Sequence, residues 1–257
     1  METNYMPENW IERCVLDYLK SEGYLVIQCN KWLPDGTGRS NRSQVMLMNV
    51  LFENLYKRYP DIPDDVIENG VRKLLLTDSD SDLAEINRRV RHLIRHGIMV
   101  RFEKNGRKKR RIIKLINFKK PKNNIYIAAS QMWIRFNRDN WCRPDVILFI
   151  NGLPIVFFEL KNNYTDVRNG YDINLKKYIS KIPQLFSSNC FCVLSNGVET
   201  RYSSCADSFN KYSPWQITSE EERYIKRKGK LTWQNLKSFI LGFCKPSTLI
   251  AYIMSDL

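Results

Sequence analysis

RPDVILFINGLPIVFFELK, residues Arg143 to Lys161, is the stretch whose reading decides the fold. Two apolar runs, 146–150 and 154–160, flank Asn151-Gly152, a pair that favours the left-handed backbone of a tight hairpin turn. Strands that are apolar on successive residues, not on alternate ones, are covered on both faces. The stretch therefore reads as a hairpin inside a sheet. Its charges come only at the open end, with Asp145 before the first strand and Glu159 and Lys161 closing the second. A spacing of two puts Glu159 and Lys161 on one face, and the hairpin returns that end to Asp145. Parity then constrains the pairing. A strict two-residue turn sets Asp145 opposite Phe158 and leaves Glu159 on the other face. A bulge or a three-residue loop is needed to bring Asp145 and Glu159 together.

Charges at the ends of apolar strands are hard to explain as packing, because a buried carboxylate is costly unless paired or bound to metal. Two adjacent carboxylates repel, and a divalent cation removes the repulsion. Magnesium takes oxygen ligands and keeps several waters, so two carboxylates suffice. Such an ion polarises a phosphodiester and helps deprotonate a water, and a neighbouring lysine steadies charge developing on the phosphate. The competing reading of the same residues is a surface ion pair at an exposed hairpin end. In either case a charge at a strand end is expected to add little to the core, so Lys161→Ala is expected to leave folding nearly unchanged.

Further out, 257 residues suit one large domain or two small ones. Lys and Arg number 41 against 27 Asp and Glu, a net +14 that points to a polyanionic partner, usually nucleic acid. The seven cysteines (14, 29, 142, 190, 192, 205 and 244) are odd in number and scattered, and no apolar leader opens the chain. They read as buried small hydrophobes of a reduced, cytoplasmic protein. No run of about 18 apolar residues exists, so no membrane span is expected. A P-loop is also missing.

Periodicity predicts helices over 9–22, 44–58, 63–76, 81–96 and 171–181, and two short helices from 232 around Pro246. Strands are expected at 24–27, 125–129 and 190–195, with two more between 98 and 118 around residues 104–107. The 81–96 helix, capped by Ser81 or Asp82, carries Arg88, Arg89, Arg91, His92, Arg95 and His96. His92 and His96 have metal-ligand spacing but read first as part of a basic face. Arg107, Lys108, Lys109, Arg110 and Arg111 read as a grip on phosphates or a solvated turn. Lys176, Lys177 and Lys181 are expected to make the wall beside the carboxylates positive, with Arg107–Arg111 on a neighbouring edge. No helix-turn-helix signature, zinc finger or RRM-like aromatic strand is visible, so base reading is not expected.

The 143–161 segment resembles the nuclease motif of the restriction (R) subunit of type I restriction–modification enzymes, within the PD-(D/E)xK nuclease superfamily. Ile182-Pro183-Gln184-Leu185-Phe186, Asn189 and Val193-Leu194-Ser195-Asn196-Gly197 resemble that family's next block. Asn87-Arg88, Asn123-Asn124, Gln131 and Pro214-Trp215 also fall where it has similar residues. The resemblance implies a restriction-endonuclease-like α/β fold, a mixed central sheet flanked by helices. It implies Asp145 and Glu159 as magnesium ligands and Lys161 as the catalytic lysine, with Glu12 at the place of the superfamily's auxiliary acid. The family's Gln-x-x-x-Tyr motif reads here as Asn174 to Tyr178, so Tyr178 matches and Asn174 departs. One nuclease domain is expected over 1–257, with a catalytic core at about 9–30 and 123–205, a helical, basic insertion at about 31–120 and C-terminal helices at about 232–256. The resemblance further implies double-stranded DNA as substrate, partner subunits for methylation and specificity, and ATP only in a translocase motor outside this chain. A stand-alone repair or junction nuclease, a non-catalytic DNA-binding module of the same fold and a basic RNA-binding protein are the rival readings.

Overall fold

The computed structural model describes residues 5–75, 82–218 and 234–255. Helix α1 (Glu8–Ser21) leads to β1 (Leu25–Gln28). Three helices follow, α2 (Met48–Arg58), α3 (Asp64–Leu75) and α4 (Leu83–His96), and then a hairpin of β2 (Ile98–Lys104) and β3 (Arg107–Ile113). Next come β4 (Tyr126–Ser130), the short pair β5 (Ile134–Arg135) and β6 (Trp141–Cys142), and the central strands β7 (Val146–Ile150) and β8 (Leu153–Leu160). A continuous helical segment consists of α5 (Val167–Asn169), a π-helical turn (Gly170–Leu175) and α6 (Lys176–Lys181). It precedes β9 (Phe191–Ser195), β10 (Thr200–Ser203) and β11 (Ser213–Pro214), and α7 (Gln234–Phe243) and α8 (Pro246–Ser255) complete the described chain.

Seven strands form one mixed sheet in the order β1-β4-β7-β8-β9-β10-β11. β1 runs parallel to β4 and β8 parallel to β9, and the other neighbours are antiparallel. This is the expected α/β class. Every residue of β4, β7, β8 and β9 is buried, which is why these strands read as unbroken apolar runs. One face packs under α1 and α7, where Phe158 meets Phe239 edge to face at 6.1 Å. On the other, Phe157 packs against Tyr178 and Phe186.

The β7–β8 turn is the two-residue Asn151-Gly152, both at positive φ, and parity is reversed by a bulge instead. Phe149 pairs with Pro154 and Leu148 with Val156, leaving Ile155 over. Asn151 is buried and locks this corner: its Nδ2 donates to Leu115 O and Asn124 Oδ1, and its Oδ1 accepts from Ile125 N. A Cβ on Gly152 would lie 2.3 Å from Leu47 O, so only glycine lets the segment entering α2 seat on the turn. That contact also starts α2 at 48 and not at 44, because Leu47 N donates to Gly152 O at 2.9 Å.

Asp82, not Ser81, caps α4, its side chain accepting from Glu85 N at 2.8 Å. Ser81, Leu76, residues 232–233 and Asp256 lie outside the described residues. The helical segment expected at 171–181 starts earlier, at Val167, where Asp166 caps it. Strands β5, β6, β10 and β11 have at most four residues and carry too little periodicity to read. All seven cysteines are free, five of them buried. Among the described residues no single helix is long and apolar enough to cross a membrane.

Candidate active site

The bulge carries the register one step past Val146–Phe158 to set Asp145 across from Glu159. Asp145 is fixed there by its neighbour strand, its Oδ2 accepting from Leu160 N at 2.7 Å. Glu159 is 1% exposed. Its Oε1 accepts from Lys161 Nζ at 2.7 Å and from Asn174 Nδ2, while its Oε2 is buried without a hydrogen-bond partner. The three charges thus converge, and the surface-pair reading of the sequence is set aside by the burial of Glu159.

Electrostatics follow from that burial. Burial pushes Asp145 up to about 6, against the pull of Leu160 N–H and Lys161. Burial, then the charge of Asp145, pushes Glu159 up to about 8. The carboxylates around Lys161 outweigh its own burial and raise its pKa, holding the ammonium charged. The two acids are therefore short of positive charge even with Lys161 in place.

Asn174 reaches Glu159 despite its short arm because the helix comes close. Gly170 lies against Glu159, where an added Cβ would stand 3.2 Å from Glu159 Cγ. The π-helical turn Gly170–Leu175 then re-aims the next residues. Four residues on, the Tyr178 hydroxyl donates to Arg143 O at 3.0 Å, anchoring the strand entrance beside Asp145. Burial and both carboxylates keep that phenol protonated, well above its ordinary range.

Glu12 comes to the site from α1 and meets it through Gln131, a residue to which the sequence assigned no role. Gln131 Nε2 donates to Glu12 Oε2 at 2.5 Å and approaches Asp145 Oδ1 at 3.5 Å, and Gln131 N donates to Asp145 O. Its φ of +53° turns β4 sharply at this point. The signal in the sequence was a polar pair, Ser130-Gln131, directly after an apolar run, but the partner Gln131 serves is 119 positions away. Glu8, also missed, sits 3.9 Å from Lys161 Nζ. Glu8, Glu12, Arg13, Gln131, Arg143 and Asp145 line an open cleft of about 500 Å³. Glu159 and Lys161 are not among its lining residues, though Lys161 Nζ approaches Glu8 at its edge and Gly170 of the π-helical turn lies against Glu159.

Around this cleft the expected wall is only partly present. Lys176 is tied to Asp172 at 2.6 Å, and Lys181 lies over the Phe136 ring. Arg13 and Arg143, neither singled out beforehand, supply the cationic rim. Arg107–Arg111 are not brought here. Their hairpin is a separate two-stranded sheet, and the unit holding it joins the sheet at Asn151-Gly152, the end of β7–β8 remote from the carboxylates. A hairpin that packs on its own helices has no reason to extend the main sheet.

A divalent ion suits the donor set. Asp145, the orphaned Glu159 Oε2 and the orphaned Gln131 Oε1 are hard oxygen donors, and the raised carboxyl groups lack a compensating charge. No three His, Cys, Asp or Glu side chains among the described residues form a ready cage, which magnesium with its retained waters does not need. His92 and His96 have tilted rings with centroids 4.3 Å apart and no third such ligand among the described residues.

Comparison with known proteins gives a consistent picture. The family model described as type I restriction enzyme R protein N terminus matches residues 5–211. The type I restriction enzyme HindI endonuclease subunit of Haemophilus influenzae is 30% identical over 96% of this chain and 24% of its own length. The putative MjaIXP and MjaVIIIP endonuclease subunits of Methanocaldococcus jannaschii are 26% and 28% identical, over 95% and 69% of this chain and 25% and 17% of theirs. The chain thus spans about a quarter of the length of the first two relatives.

Proposed function

As the chain belongs to the family of type I restriction enzyme R protein N termini, we propose that it is the DNA-cutting module of such a subunit, hydrolysing phosphodiester bonds with magnesium held by Asp145 and Glu159. The observation that carries this reading is the pairing of Asp145 with a buried Glu159 whose Oε2 has no partner, beside Lys161. Magnesium, when bound, polarises the scissile phosphate and makes a water more acidic. Lys161 Nζ, steered by Glu159, is placed to stabilise charge developing on the phosphate oxygens. Asn174 holds the Glu159 carboxylate in one orientation, and Gln131 keeps Glu12 and Asp145 from swinging together. Arg13 and Arg143 receive the substrate backbone at the rim. Methylation and specificity subunits and an ATP-driven motor are the partners this reading implies.

Nicking of supercoiled DNA, with magnesium and with a chelator, tests the reading directly. Slow nicking that needs magnesium and disappears in Asp145→Ala is expected. Because cutting in such enzymes is tied to their other parts, a second measurement stands beside it. Magnesium should raise the thermal unfolding midpoint of the wild type, by preferential binding to the folded state, and not that of Asp145→Ala. Equal nicking, or an equal magnesium shift, in the variant would sink the assignment.

A further inference from the structure

Residues 48–113 have an organisation that the cutting reaction does not use. Three helices are followed at once by a hairpin, with only Gly97 between α4 and β2. The helices and hairpin share a core. α3 lies on β2 so closely that a Cβ on Gly70 would stand 2.9 Å from Val100, and Val90 and Ile94 of α4 are buried. Tyr56 on α2 donates to Glu68 on α3 at 2.8 Å, and Lys114 beyond β3 bonds the α4 carbonyls of Arg95 and His96. This order and packing is that of a winged helix, with β2–β3 as the wing.

The wing is built against its own electrostatics. Residues 107–112 of β3 are exposed on both faces of the ribbon. Arg101 stands directly across from Arg110, where like charges cost stability. Glu103 stands across from Lys108, but among the described residues no carboxylate forms a close ion pair with Lys108, Lys109 or Arg110. A second basic surface lies nearby: Arg88, Arg91, His92, Arg95 and His96 of α4 face Ser204 across a groove of about 350 Å³. Two basic surfaces on one small unit are explained together by a shared polyanion.

We propose that residues 48–75 and 82–113 are a winged-helix unit that holds the backbone of duplex DNA with its β2–β3 wing, a second hold separate from the catalytic cleft. The choice of duplex DNA rests on the function proposed above. Asp145 lies six positions, along β7, from Asn151, where the unit attaches, about 20 Å at strand rise. The side of α4 bearing Asn87 is committed to the core, its Nδ2 donating to the carbonyls of Phe186 and Asn189, which limits any entry of α4 into a groove. The hold is therefore on phosphates and without sequence preference.

The test uses the whole chain carrying Lys108→Gln, Lys109→Gln and Arg110→Gln together, with a duplex of about 30 base pairs, in chelator so that no cutting occurs. Affinity should fall roughly 10-fold or more at low salt, and the slope of log affinity against log salt should shrink by up to about three. Thermal stability should stay level or rise, since the repulsion is relieved; a purely structural role would lower it. Unchanged affinity and slope overturn the proposal, whatever the nicking assay shows. Loss of RNA binding as large as that of duplex DNA overturns the choice of ligand. A chain that loses affinity in this variant, but whose magnesium-induced rise in unfolding midpoint is the same in Asp145→Ala, removes the nuclease reading and leaves the wing standing.

Discussion

At the residue scale the decisive feature is a glutamate buried to 1% exposure beside an aspartate. Its folded pKa is raised, from 4.5 to about 8, so the folded protein holds a proton that the unfolded chain has lost. That contribution is complete below pH 4.5 and is lost as pH rises through about 8. Metal-free protein should accordingly show a falling unfolding midpoint between those limits, and Glu159→Gln, neutral throughout, should flatten the fall. Thermal melts in chelator across that range check it, and an identical decline in the variant would show that Glu159 is not the group responsible. Lys161 is not the indifferent strand-end charge that the sequence suggested. It is the cation of a buried pair, 13% exposed and 2.7 Å from Glu159. Removing it leaves the carboxyl to be neutralised by a proton, so Lys161→Ala should steepen the same decline and cost most at high pH.

At the scale of elements, geometry replaces chemistry as the limiting factor. The helix after the site departs from the family's glutamine at Asn174, and Gly170 offsets that lost length by letting the backbone approach Glu159. In the proposed reading Asn174 is a positioning residue, acting through its hydrogen bond to Glu159. Asn174→Ala should lower cutting and magnesium affinity by about 10- to 100-fold, the usual cost of losing a partner of a metal ligand. DNA binding in chelator should be unchanged, because the rim cations and the wing remain. A variant that lost DNA affinity in step with cutting would show that the amide touches the substrate instead.

On the scale of the whole molecule, +14 of net charge is spread over separate surfaces, the cleft rim, the α4 groove and the wing. Contacts of this kind are made to phosphates and release counterions. The chain should bind unrelated duplexes equally and lose affinity steeply across a salt series, whereas tight, salt-insensitive preference for one sequence would mean that it reads bases itself. By itself the sequence determined the buried strands, the helices and the three charged residues at the hairpin mouth. Those follow from periodicity and from the cost of burying charge, which act over a few neighbouring positions. It also showed that a register shift was needed, without saying where. Only the tertiary structure decided that Ile155 takes up the shift, that Gln131 reaches Glu12 across 119 positions, and that the basic hairpin is a sheet of its own, apart from the main one. Each of these depends on which distant surfaces pack together, and packing between elements leaves no periodic trace in either one.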